Sequence, residues 1–559
     1  MNQRIRSELS LIYPEQAAEV ATKLSRLLDD FTDRNPPRAS RDPFFTERDA
    51  VLICYADHVR EEGEKTLRTM GRFLERYARG LIPTVHFLPF FPYSSDDGFS
   101  VIDYRRIEPA FGDWDDLAAI ARDFDVMVDL VINHASAKSE WFGRFLEGDE
   151  VYRDYFIAFE EPVDLSTVFR PRTHPVLTPF QTAEGTRYVW TTFSTDQIDL
   201  NVANPDVLLE LIRILLFYVA HGATIIRLDA IAFLWKEPGT SSLHLPQTHA
   251  VVRLLRAVLD EVAPQVLIIT ETNVPHEDNI SYFGAGEDEA HLVYNFTLPP
   301  LLLYSLMKGD ASLLSTWART LAPPSARTAF FNFTASHDGI GVTALRAMIP
   351  PDEFDEVLSW VERHGGRINY RTSPGQEPVP YELNIVYLDA AGGIEPFLVS
   401  QAIALALQGM PAIYFNSLIG ARNWEEGVER LGYNRAINRQ KFVYDTLVAE
   451  LDEPASPGHR VYQRYARLLA ARGAEPLFGP LAPQQVVDLD RRLFALLRSN
   501  EDRRLLAIHN LSGEEVIVSG LAELLGAAEA RDAVSGETYA LTNSIRVEGY
   551  GILWLTPER

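Results

Sequence analysis

Asp229 and Glu271 each sit at the end of a short apolar run, TIIRLDA and VLIITET, where a carboxylate is costly unless it is used or paired. Two carboxylates at neighbouring strand ends can flank a glycosidic bond, one attacking the anomeric carbon while the other protonates the departing oxygen. Adjacent strands lie about 4.8 Å apart, which brings side chains within reach of the roughly 5 to 5.5 Å separation of a pair that retains configuration. Arg227 stands two residues before Asp229, on the same strand face, where its guanidinium is expected to hold Asp229 ionised, low in pKa and correctly aimed. Asp229 is therefore the expected nucleophile. Glu271 emerges from VLIIT, surroundings that raise a carboxyl pKa and keep it protonated until it acts as an acid. Asp338 is a third carboxylate, and with His337 it can bind sugar hydroxyls and offset oxocarbenium charge in the transition state.

Short apolar runs must carry these residues. VLICYA, TVHFLPF, VMVDLVI, TIIRLDA, VLIITET, HLVYNF, TAFFNF and AIYF recur along the chain, separated by stretches of helical period. Strands alternating with helices imply parallel β–α–β units, and eight such units predict an α/β fold of the closed (β/α)₈ TIM-barrel type. A doubly wound open sheet is the alternative, but no Gly-rich phosphate loop follows the first run. On the barrel reading His134, Arg227 with Asp229, Glu271, and His337 with Asp338 all stand at strand ends converging on one mouth. The long gaps after the third and seventh runs predict two inserted domains, 132–204 (B) and 339–394 (B′), that wall the pocket. The barrel itself is expected over 48–131, 205–338 and 395–474. Residues 1–47 read as an N-terminal helical extension, with an amphipathic helix from Ala17 to Phe31, and 475–559 read as a C-terminal antiparallel β-domain with period-two patterning.

Composition bounds the partners. The chain has 559 residues and a formal charge of −26, from 78 Asp plus Glu against 52 Lys plus Arg, so neither nucleic acid nor an anionic membrane is expected as a partner. An anionic substrate would need local positive charge inside this repulsive field. Cys54, the only cysteine, lies in an apolar run, which excludes a disulfide framework within the chain and reads as a buried thiol. The first residues contain no signal-peptide core, and no apolar stretch is long enough to span a membrane, so a cytoplasmic location is expected.

The segments VINHAS, IRLDAI, ITETN and ASHDGIG resemble, in order, the four signature regions of glycoside hydrolase family 13, the α-amylase clan. Within it, HFLPFFPYSSDDGFSVIDY, FRPR, QIDLN, SHDGIGV and RAINR resemble the sucrose phosphorylase group, which transfers glucose to phosphate. The resemblance implies retaining phosphorolysis of an α-glucoside, with a small-molecule glucoside and inorganic phosphate as substrates. It implies Asp229 as nucleophile, Glu271 as acid/base and Asp338 as transition-state stabiliser. It also implies Asp96, His134, Arg227, His337 and Arg435 around the glucosyl ring, Phe99 and Phe193 as an aromatic clamp with Gln197 beside it, and Arg172 as the arginine that meets phosphate. Asn133 falls where calcium-binding members place a ligand, without a matching carboxylate set, so no metal and no organic cofactor is expected. A homodimer is compatible with the resemblance.

The acceptor side departs from the sucrose enzymes. Phe233 replaces a Tyr, Thr272-Asn273 follows the acid/base, and GGRINYRTSPGQEPVPYELN keeps Tyr381 but not the Asp two positions before it. These versions resemble relatives acting on glucosylglycerate, glucosylglycerol or sucrose 6′-phosphate, with the first preferred. Arg363, His364, Arg367 and Arg371 in this region either face an anionic acceptor, a carboxylate or phosphate, or form a solvated basic surface.

Overall fold

The computed structural model describes residues 2–172, 174–371 and 377–558. Its centre is a closed barrel of eight parallel strands: β1 (Val51–Cys54), β2 (Thr84–Phe87), β3 (Asp125–Val131), β4 (Ala223–Asp229), β5 (Leu267–Thr270), β6 (Leu292–Tyr294), β7 (Ala329–Phe333) and β8 (Met410–Tyr414). Each strand neighbours its successor, and Val51 pairs with both Thr84 and Ala412 to close the ring. The strands coincide with the eight apolar runs because a parallel sheet covered by helices is buried on both faces and selects near-continuous apolar sequence.

The loops after β3 and β7 carry added structure. After β3, a short antiparallel pair joins His134–Ser136 to Gln197–Asp199, and a three-stranded sheet uses Ala158–Phe159, Leu177–Thr182 and Gly185–Trp190. After β7, Ile340–Gly341, Val379–Asn384 and Arg367–Arg371 form another three-stranded sheet. Residues 372–376, inside the loop singled out for the acceptor, lie outside the described residues.

The N-terminal region holds two helices, α1 (Gln3–Ile12) and α2 (Ala17–Arg34). The first was not expected, although its signals are present: Asn2 caps it by accepting from the Ile5 N–H, and Ile5, Leu9 and Ile12 bury one face. It docks on α3 (Pro246–Val262), with Arg4 on Asp260 at 2.8 Å and Arg253 on Glu8 at 3.0 Å. At the other end, a six-stranded antiparallel sheet centred on Leu493–Ser499 and Arg504–Asn510 packs a core of its own. Buried Arg498 ties it to the barrel layer by donating to the Ala406 carbonyl at 2.6 Å. Among the described residues no helix is long and apolar enough to cross a membrane.

Candidate active site

Asp229 is the last residue of β4, and Glu271 immediately follows β5. Between them lies Arg227, only 2% exposed, whose Nη1 donates to Asp229 Oδ1 at 2.7 Å and whose Nη2 stands 3.9 Å from Glu271 Oε2. One guanidinium thus touches both carboxylates. Ala230 then turns the chain off the strand in the left-handed region, at φ 52°, a conformation that costs about 1–2 kcal/mol for an L-residue. That turn aims the Ala230 N–H at Glu271 Oε2, 3.1 Å away.

Arg227 is shared with a residue the motifs did not single out. Asp129 on β3 is in register with Arg227 and ion-pairs with the same Nη1, and behind it His86 Nε2 on β2 lies 2.6 Å from Asp129 Oδ2. His86 and Asp129 have fully buried side chains. Burial pushes the His86 pKa down despite Asp129, so the ring is neutral and donates its Nε2 proton to the carboxylate, which can only accept. Asp129 stays low against its own burial because Arg227 and His86 stabilise the anion. The signal for this pair was a charged or polar residue in the middle of each of two apolar runs.

Burial corrects the expectation that Asp229 is held low. Burial raises its pKa well above the usual carboxylate value, with Arg227 opposing and the charges of Glu271 and Asp129 adding to the rise. Glu271 is also raised, chiefly by burial, with Arg227 opposing. Two buried carboxyls this close favour one shared proton. The direct Arg227 hydrogen bond favours the anion on Asp229, while Arg227 and the Ala230 N–H favour it on Glu271, so the two carboxyls compete for that proton.

Asp338 behaves in the opposite way. Against the burial penalty, Arg435, His337 and Arg439 hold it far below the ordinary carboxylate range. Arg435 Nη1 ion-pairs with Asp338 Oδ1, while its Nε and Nη2 donate to the two oxygens of Glu382 at 2.9 and 2.6 Å. Glu382, missed in the sequence, is buried on the strand after Tyr381. Gly339 allows this approach: a Cβ there would meet Glu382 Cγ at 2.5 Å and the Leu383 carbonyl at 2.6 Å. His337, pushed down to about 3 mainly by burial, stacks on Phe99 at 4.7 Å between centroids.

Arg435 lines the cavity, but the cation beside Asp96 is Arg439, four residues later in RAINR and also missed. Its Nη1 donates to Asp97 Oδ2 at 2.8 Å and lies 3.5 Å from Asp96 Oδ1, and its Nε donates to the His337 carbonyl at 2.9 Å. Asp96 and Asp97 both have positive φ, 53° and 48°, and Gly98 follows at 113°, where a Cβ would lie 2.3 Å from the Pro89 carbonyl oxygen. The turn is held strained against Arg439.

On the opposite wall, His134 Nε2 donates to the Phe99 carbonyl at 2.9 Å, and Gln197 and Phe193 adjoin the ring. Burial keeps this histidine neutral. The pair of strands carrying His134 and Gln197 is clamped by a buried ammonium: Lys236 Nζ donates to Asn133 Oδ1 at 2.6 Å and ion-pairs with Asp199 at 2.8 Å. Asp199 also accepts from the Thr192 N–H and hydroxyl.

These walls enclose a cavity of about 140 Å³ that opens to solvent. Asp96, Phe99, His134, Arg172, Phe193, Gln197, Asp229, Phe233, Glu271, His337, Asp338, Tyr381 and Arg435 line it; Arg227 stands behind Asp229. Of Arg363, His364, Arg367 and Arg371 in the acceptor segment, Arg371 alone lines it. Arg363 is exposed at a helix end, and His364 stacks on Trp360 at 4.3 Å. Arg172 Nη1 donates to the Tyr381 hydroxyl at 2.7 Å and ion-pairs with no carboxylate among the described residues. This loop-borne side thus offers positive charge, while the strand ends offer carboxylates.

The chain is similar to several known proteins. The family described as Alpha amylase, catalytic domain, matches residues 77–338. The chain is 49% identical to a glucosylglycerate phosphorylase of Spirochaeta thermophila, over 100% of this chain and 99% of the relative. It is 43% identical to a glucosylglycerate phosphorylase of Escherichia coli, over 92% and 93% of the two chains. Among solved structures, sucrose 6F-phosphate phosphorylase from Thermoanaerobacter thermosaccharolyticum superposes with a TM-score of 0.74 at 27% identity, covering 83% of this chain and 94% of that one.

Proposed function

We propose that this chain, which belongs to the α-amylase family, is a retaining glucoside phosphorylase that converts glucosylglycerate and phosphate to α-glucose 1-phosphate and glycerate. The observation that carries this reading is the single buried guanidinium of Arg227 touching both Asp229 and Glu271 in a cavity whose far side offers cations.

In the first half-reaction Asp229 attacks the anomeric carbon while Glu271 gives its proton to the departing glycerate oxygen, leaving a β-glucosyl ester on Asp229. In the second, phosphate enters the vacated side, Glu271 takes a proton from it, and the phosphate oxygen attacks the same carbon. Two inversions restore the α configuration. The shared proton of the buried pair supports these roles, since the nucleophile must be an anion and the acid protonated at the start. Asp338, held ionised by Arg435 and Arg439, opposes the positive charge that develops on the sugar ring.

Asp96, His134, Gln197, His337 and Arg435 surround the glucosyl hydroxyls in this reading, and Arg439 joins them through Asp96. Phe99 and Phe193 cover the apolar faces of the ring, and Phe233 borders the acceptor. Arg172, oriented by Tyr381, meets phosphate. The deciding experiment incubates the protein with glucosylglycerate with and without phosphate and follows glucose and α-glucose 1-phosphate. Phosphate-dependent α-glucose 1-phosphate is expected; glucose release at the same rate without phosphate would replace phosphorolysis by hydrolysis.

A further inference from the structure

The acceptor side of the cavity holds a cation that no carboxylate among the described residues neutralises. We propose that Arg371 is the specificity-determining residue that selects an acceptor bearing a carboxylate, by seating that carboxylate next to the leaving oxygen. This rests on the glucosylglycerate reading and assigns its acceptor recognition to one side chain.

Arg371 closes the strand Arg367–Arg371 and pairs with Val379 across the sheet that also carries Tyr381 and Glu382. Its guanidinium lies over the Phe169 ring, 5.5 Å from the centroid, and the residue lines the cavity. It is partly buried, and among the described residues no carboxylate lies within ion-pairing distance of it. The charge that most affects it is another cation, Arg346, which adds to burial in lowering its pKa. Arg227, Arg435 and Arg439 in the same site are each paired with at least one carboxylate. A desolvated cation without a counter-ion is costly, and a ligand anion offsets that cost.

The planar fork of arginine matches a carboxylate in two parallel hydrogen bonds. Arg371, Glu271 and Asn273 line the same cavity, and Glu271 must touch the oxygen that joins sugar to acceptor. An acceptor reaching from that oxygen toward Arg371 presents its carboxylate there. Arg172 is distinct, being bound to Tyr381 and placed over Phe193, so the two anions of the reaction have separate cations.

The test measures synthesis from α-glucose 1-phosphate with glycerate, glycerol and fructose 6-phosphate, and phosphorolysis with phosphate varied, for wild type, Arg371→Gln and Arg371→Lys. In Arg371→Gln the KM for glycerate should rise about 30-fold, while those for glycerol and phosphate change less than about threefold, and Arg371→Lys should recover part of the loss. Parallel losses for glycerate and glycerol would assign Arg371 a structural role, and a rise confined to phosphate would make it part of the phosphate site; either overturns the proposal. A wild type that prefers fructose 6-phosphate would overturn the glucosylglycerate reading and, because Arg371 is assigned to a carboxylate, this proposal too, with the Arg371→Gln effect on phosphate showing which anion it serves. A preserved glycerate reaction with unchanged KM in Arg371→Gln would overturn the Arg371 assignment alone.

Discussion

The two halves of the cavity are built on different electrostatic principles. Around the proposed glucosyl seat each arginine among the described residues is matched by carboxylates: Arg227 by Asp129 and Asp229, Arg435 by Asp338 and Glu382, Arg439 by Asp97. On the acceptor side Arg172 and Arg371 face the cavity without a carboxylate among the described residues. On the proposed function, these paired ions, drawn from barrel strands, the loops after them and the inserted sheet, fix geometry for a neutral sugar whose position must be exact to a fraction of an ångström. Unpaired cations on inserted loops leave charge free for anions that come and go. The strongly acidic chain, at −26, makes these two local exceptions necessary.

The largest test of the paired half is Asp229→Ala, which should lower phosphorolysis by about 10⁴-fold or more in steady-state assays with an unchanged circular dichroism spectrum. Appreciable residual turnover would move the nucleophile elsewhere. Glu271→Gln should lower turnover of glucosylglycerate by roughly 10²- to 10⁴-fold. Because burial raises the Glu271 pKa, its acid function is present below that raised value and lost as pH rises through it, so the alkaline limb of the pH–rate profile should disappear in the variant.

Asp129→Asn probes sharing of the guanidinium. It removes one partner of a buried ion pair, a change that typically costs about 3–5 kcal/mol, and the thermal midpoint should fall. It also removes a charge that raises Asp229, so the acid limb of the profile should move to lower pH, which a purely structural lesion would not produce. For the unpaired half, Arg172→Gln should raise the KM for phosphate roughly 10-fold while changing the KM for glycerol less, the smallest of these effects because one solvent-facing contact is lost. A larger loss for the sugar than for phosphate would merge the two halves into one network.

Much of the barrel was legible because each strand is short, apolar and bounded, and because Asp229, Glu271 and Asp338 are carboxylates at the ends of such runs. The first helix was missed although Asn2, Ile5, Leu9 and Ile12 carry its cap and its face. Asp129 and His86 were visible as polar interruptions of apolar strands, but only the register of β3 with β4 connects Asp129 to Arg227. Glu382 and Arg439 lay in recognised segments, next to or near residues that were chosen. Their partners are distant in sequence, and no local pattern reports a contact of that kind.

By itself the sequence determined the order of strands, the residues at their ends and the chemistry those residues can perform, since these follow from periodicity and side-chain type. Tertiary structure decided where charge is balanced. Arg227 two residues from Asp229 would hold it ionised on an isolated strand, but the folded barrel buries the pair beside Glu271 and divides that guanidinium with Asp129, reversing the expected pKa direction. Likewise the neighbouring arginines of the acceptor segment were alike in sequence until helix and strand geometry turned Arg371 into the cavity and left Arg363 exposed at a helix end. Sequence spacing fixes which side chains share a strand face; desolvation and the sharing of counter-ions depend on neighbours that only folding supplies.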